Sequence, residues 1–214
     1  MKNNFPYVSI VIPSFNAEFY IERCIHSCLD QKTKYPYEII ICDDFSTDKT
    51  ISILEFLYSD NPIIRVIKNK ENLGVGKTRN NAIKESKGRY IFLLDADDYI
   101  HPSTIEIMVI ALELSPGYDL VFSDYQYIDD QGQKSATISS LERPIACGQL
   151  ITKGVFVKHG LYKELRIGED KEFHQRIYKN AKRLHMPIPF YRYRQHKLSI
   201  TAKYDQNRTY DLDK

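Results

Sequence analysis

Along the first 125 positions, short apolar runs alternate with stretches whose apolar residues recur at helical spacing. "YVSIVIP" (7–13) reads as a buried strand. Tyr20, Cys24, Ile25 and Cys28 then share one face of a helix from Glu18 to Leu29. "YEIIICDD" (37–44) is a second strand, and "STDKTISILEFLYS" (46–59) a helix with Ser46 or Thr47 as its cap. "IIRVIKN" (63–69) is a third strand, followed by a helix from Gly74 or Val75 to Ser86. "RYIFLLDADD" (89–98) is a fourth, "HPSTIEIMVIALEL" a helix with Pro102 in its first turn, and "YDLVFSDYQYI" (118–128) a fifth strand. Beyond it the pattern weakens. Residues 128–151 read as a loop or hairpin, with short helices at 152–160 and 170–181, an extended "IPFYRYRQHKLSIT" and a polar tail at 203–214.

This order predicts an α/β protein built on an open, mostly parallel sheet with helices on both faces. The uninterrupted Ile, Val and Leu runs suit strands covered on both sides. With 214 residues and no linker, repeat or low-complexity tract, the chain is expected to form a single domain, 1–214. Ligands of such sheets bind beyond the carboxyl ends of the strands. "PSFNAE", "DDFSTD" and "DADD" all lie at such ends, so they are expected to face one crevice.

The acids Asp95, Asp97 and Asp98, at the exit of an apolar run, need a reason. An EF-hand loop requires Gly where Ile100 stands. A dinucleotide fingerprint requires glycines that "PSFNAE" lacks, and a nucleotidyltransferase a Gly-rich basic loop there. A phosphatase nucleophile loop would have a small residue at Tyr99. A divalent-cation site serving a diphosphate survives. A carboxylate 4 Å from a phosphate oxygen is repelled by about 4 kcal/mol at an effective dielectric near 20, and a bound dication reverses that sign.

Taken in order, "VSIVIPSFNAE", "EIIICDDFSTDKT", "ENLGVGKTRNNAI", "GRYIFLLDADD" and "GEDKEFHQRI" resemble the inverting family 2 glycosyltransferases across residues 7–202. The resemblance implies a GT-A fold, a Rossmann-like nucleotide-binding sheet, and Mn²⁺ or Mg²⁺. It divides the chain into a nucleotide-sugar-binding half (1–125) and an acceptor half carrying the base (126–202). Pro13, Phe15, Asn16 and Glu18 would line the nucleoside pocket, Phe15 stacking on the base. Asp44 would accept a hydrogen bond from uracil N3–H, while Asp43 is structural. Asn72, Gly74, Arg79 and Asn80 would lie near ribose and diphosphate. Asp95 would face the ribose or the metal, Asp97 would be the main metal ligand, and Asp98 is read as the cap of the next helix. His196 is a candidate for the metal shell, set against a plain surface histidine. Arg192, Arg194 and Lys197 could close over the diphosphate. The base is expected at Asp170, six residues before Arg176, with Glu169 as its rival. The family commonly has glycine where Phe45 stands, so the turn after Asp44 is expected to be reshaped.

The implied activity is transfer of one hexosyl or N-acetylhexosaminyl group from a UDP-sugar to a glycan or lipid-linked glycan, as in bacterial surface polysaccharide synthesis. Processive relatives carry Gln-x-x-Arg-Trp and membrane helices, whereas this chain has no tryptophan. A non-catalytic nucleotide-sugar-binding module and a metal-dependent nucleotidyltransferase stay open as alternatives.

Composition changes this picture little. Residues 1–150 hold 15 basic and 21 acidic side chains, and residues 151–214 hold 15 and 7. That asymmetry suits an anionic substrate or peripheral contact with a membrane, and no nucleic-acid partner is expected. No run approaches the ~20 apolar residues of a membrane helix. The N-terminus does not read as a signal peptide, which gives a cytoplasmic location as the expectation. Four cysteines without a Cys-x-x-Cys pair read as buried thiols.

Overall fold

The computed structural model of the protein describes residues 5–165, 168–196 and 199. Lys197 and the 203–214 tail lie outside them. Strand β1 (Val8–Ser14) is buried at every position, as an apolar strand with neighbours on both sides should be. β2 (Tyr37–Asp43) and β4 (Tyr90–Leu93) flank it in parallel, and β3 (Ile64–Lys68) extends the sheet beyond β2. The crossovers carry α1 (Ile21–Leu29), α2 (Thr50–Tyr58) and α3 (Val75–Glu85), with α3 packed on β1 and β2. Cys24, Ile25 and Cys28 of α1 are buried, and all four cysteines are buried free thiols.

Pro13 sits inside the central strand, where a missing N–H would normally break a ladder. The register explains its place. Leu94 N–H donates to Val11 O and Asp44 N–H donates to Ser14 O, so the backbone of residues 11 and 13 faces β4 and that of 14 faces β2. The β1–β4 ladder ends at Val11–Leu93, leaving nothing on that side for residue 13 to pair with. A proline is therefore tolerated, and it marks where the crevice opens.

The second half departs from expectation. The sheet is mixed, with the order β3-β2-β1-β4-β8-β6-β9-β5, and β7 paired on β6. β6 (Leu120–Ile128) does not join β4 directly. Between them lies β8 (Gln149–Thr152), antiparallel to both and drawn from a stretch read as loop or hairpin. The hairpin itself is present as β7 (Lys134–Ile138). β9 (Arg183–Arg194) runs parallel to β6, and β5 (Tyr99–Ile100) pairs antiparallel with its far end. α4 (Thr104–Glu113), α5 (Lys153–His159) and α6 (Glu169–Asn180) complete the chain.

The sheet also curls. β4 and β5 are separated along it by three strands, about 19 Å if flat. Along the chain only residues 94–98 separate them, and Asp98 N–H donates to Asp95 O at 3.1 Å in a turn. The β9 end must therefore come back round to the end of β4. Tyr191 of β9 does so: its hydroxyl accepts from Asp95 N–H at 3.2 Å. The first four strands keep the 3-2-1-4 order of a nucleotide-binding half. Among the described residues, no helix is long and apolar enough to cross a membrane.

Candidate functional site

The loops after β1 and β2 are laced together. Asn16 occupies a left-handed conformation (φ 48°), which a short amide side chain tolerates. Its Oδ1 accepts from Thr47 N–H at 2.8 Å, and its own N–H donates to Ser46 Oγ at 2.9 Å. Glu18 lies ahead of α1, not within it. Its carboxylate accepts from Lys49 N–H at 3.1 Å, next to the first turn of α2, where a negative charge suits the helix dipole. Asp43 accepts from Ser46 N–H and Oγ–H, matching its structural reading. Phe15 and Phe45 stand half-exposed on the two loops.

Phe45 has φ 65°, a conformation that costs an L-residue about 1–2 kcal/mol. A glycine, which the resemblance leads one to expect here, would adopt this conformation without that cost. Phe45→Gly is expected to raise stability by about 0.5–1 kcal/mol, relief of strain being partly offset by glycine's greater entropy when unfolded. Chemical denaturation reads this directly, and a loss of stability would mean the ring contributes more packing than its exposure suggests.

Asp44 is the centre of the next layer. Only 3% exposed, its Oδ1 accepts from Asn69 Nδ2 and Leu73 N–H, and its Oδ2 from Gly74 N–H, each at 2.8 Å. Asn72 Nδ2 donates to the Asp44 carbonyl at 3.2 Å. Gly74 (φ 83°) turns its N–H toward the carboxylate immediately before α3, a backbone shape reserved for glycine. Of about four acceptor sites on a carboxylate, three are filled by the chain itself.

At the end of β4 the three acids diverge. Asp98 is buried and caps nothing; the residue preceding α4 is Ser103. It accepts from Tyr191 Oη–H at 2.5 Å and Arg194 N–H at 2.7 Å, tying β9 to the acidic loop. Burial, with the neighbouring charges of Asp97 and Asp95, pushes its carboxyl well above the usual range. Asp97 is about one-third exposed and meets His196 Nε2 at 2.8 Å. The His196 side chain is 5% exposed, its Nδ1 has no partner, and Tyr20 lies against its ring at 4.5 Å. Arg194 does not reach into the crevice. Its guanidinium donates to the carbonyls of Asp97 and Asp129, both at 2.9 Å. Arg192 likewise donates to the Pro189 carbonyl.

Asp95 belongs to a different cluster. Arg79 of α3, 2% exposed, donates from Nη2 to Asp95 Oδ1 at 2.8 Å and from Nη1 to Asp170 Oδ1 at 2.5 Å. Burial lowers the affinity of Arg79 for its proton, yet Asp170 and Asp95 outweigh that and hold it well above its ordinary value. Asp170 sits in the first turn of α6 with its side chain 36% exposed, whereas Glu169 is only 7% exposed. Burial and the Asp170 charge push the Glu169 carboxyl up. One turn on, burial brings His174 down to about 4. Arg176 clamps the approach to α6, donating to Glu172 and to the carbonyls of His159, Gly160 and Leu161.

Thus Pro13, Asn16, Glu18 and Asp44 cluster at the β1 and β2 ends, with Asn72 and Gly74 joined to them through Asp44. Asp97 and His196 meet, and Asp95 meets Arg79 and Asp170. Among the described residues, no group of three or more His, Cys, Asp or Glu is placed to hold a metal. Sequence reasoning missed Tyr191 and Asn69, and read Tyr20 only as part of the first helix's apolar face. Their only signal was position near a strand end or in an aromatic-rich run.

The fold is thus an α/β sheet whose first parallel strands end in acidic residues at one edge. The glycosyl transferase family 2 model matches residues 9–160, and the chain belongs to that family. It is 34% identical to the chondroitin synthase of Escherichia coli over 72% of this chain and 22% of that protein. It is 43% identical to the hyaluronan synthase of Pasteurella multocida over 49% of this chain and 11% of that one. The chain thus spans less than a quarter of the length of these relatives. The crystal structure of S. aureus TarS 1–349 with UDP matches it with a TM-score of 0.74 at 23% identity, covering 89% of this chain and 61% of that one.

Proposed function

We propose that the chain is the catalytic unit of a metal-dependent, inverting glycosyltransferase. It moves a single sugar from a UDP-sugar to a glycan or lipid-linked glycan acceptor, with residues 1–125 serving the donor and 126–202 the acceptor. The observation that carries this is the meeting of strand-end acids from the donor half with the α6 carboxylate of the other half. Arg79 links Asp95 to Asp170 across them.

Asp44, with three of its acceptor sites filled, has one left for a base N–H, and Phe15 offers a half-exposed ring on the loop after β1. Asp97 would hold the dication through a carboxylate oxygen, the donor such ions take, with the His196 imidazole beside it as a second candidate ligand. Asp95, paired with Arg79, is not part of that pair. When bound, the ion neutralises the charge of the departing diphosphate.

Asp170 is the exposed member of its pair and the one suited to take the acceptor hydroxyl's proton. As that oxygen bonds to the anomeric carbon, the bond to the diphosphate breaks on the opposite side. UDP departs with the bonding electrons and the sugar inverts.

Calorimetry tests the reading. UDP is expected to bind at least 10-fold more tightly with Mn²⁺ than with chelator, and equal affinity would remove the metal from the proposal.

A further inference from the structure

Arg79 lies where a diphosphate-binding cation was expected, but its setting is that of a group already occupied. The side chain is buried, and both terminal nitrogens are bound to carboxylates. Glu169 stands 3.8 Å from Nη1, and the Tyr162 ring lies 5.4 Å away beneath the guanidinium. Its Nε is buried and has no hydrogen-bond partner among the described residues, so the two carboxylates take the terminal nitrogens alone.

Those partners come from opposite halves of the proposed enzyme, 75 residues apart in sequence. Asp95 follows β4 at the donor edge; Asp170 opens α6. Among the described residues, the Asp170 carboxylate accepts from Arg79 Nη1 and interacts with the neighbouring Glu169 side chain in the first turn of α6. A planar guanidinium with forked donors fixes direction as well as distance. Misplacing a catalytic group by about 1 Å can cost 10²-fold in rate.

We propose that Arg79 is a positioning residue: anchored on Asp95 through one nitrogen, it aims the Asp170 carboxylate into the crevice through the other. This rests on Asp170 being the base. It assigns Arg79 to the proton-accepting step and not to the binding of diphosphate.

A double-mutant cycle of Arg79→Met and Asp170→Asn tests it, with transfer rate and UDP affinity both measured in Mn²⁺. Arg79→Met is expected to lower kcat by about 10²-fold while changing the UDP Kd less than 3-fold. In the Asp170→Asn background, the same change is expected to cost less than 3-fold, because its target is already gone. Arg79→Lys, which keeps the charge but not the fork, is expected to lose about 10-fold and to decide the matter if thermal melting shows that Arg79→Met does not fold. Multiplicative losses in the cycle, or a UDP Kd weakened 10-fold with kcat preserved, would overturn the positioning role alone. A wild-type chain that binds UDP but transfers no sugar to any acceptor would overturn both it and the catalytic reading.

Discussion

Asp44→Ala is expected to lower the unfolding free energy by about 3–5 kcal/mol. The loss comes from what the carboxylate leaves behind. Asn69 Nδ2, Leu73 N–H and Gly74 N–H all point at it from 2.8 Å, and little of Asp44 is exposed. A buried donor left unpaired costs about 1–3 kcal/mol, and bonds to a charged acceptor are the stronger kind. Three such donors would cost about 3–9 kcal/mol if none found a substitute, and the expected value takes the lower part of that range because a water can enter. Urea denaturation should show a lower midpoint with an unchanged slope. A loss under 1 kcal/mol would mean that water restores the network in full. The same substitution should weaken UDP binding, since the loop before α3 would lose the group that shapes it.

The largest catalytic effect belongs to Asp170. Asp170→Asn should preserve UDP affinity within about 3-fold and lower sugar transfer by about 10²–10⁴-fold, the range of a general base. Glu169 is not expected to substitute. It is buried against Gly76, where a Cβ would meet Glu169 Cγ at 3.0 Å, and its carboxyl is pushed up by burial. Transfer assays alongside calorimetry separate the two quantities. Unchanged turnover would move the base to Glu169, while loss of UDP binding would place Asp170 in the donor site.

The parallel half was readable because each of its strands is an apolar run that declares itself without reference to a neighbour. Three polar strand ends could be assigned to one crevice for the same reason: parallel strands deliver their carboxyl ends to one edge. β8 was hidden because Gln149–Thr152 is four residues long, too short for alternation to show. Its direction was hidden as well, since a fully buried strand looks alike whichever way its neighbours run. Asp98 was read as a cap from local sequence, but its partners, Tyr191 and Arg194, lie more than 90 residues on. Arg79 illustrates the same limit. Its charge and helix were legible, but the two carboxylates that occupy it depend on how α6 docks.

β8 has a consequence for motion. It is hydrogen-bonded to β4 on one side and β6 on the other, so the donor and acceptor portions are stitched into one continuous ladder. Clamshell closure, in which two lobes swing about a linker, would have to tear that seam. Entry of substrate and escape of product therefore fall to surface segments moving over a rigid floor.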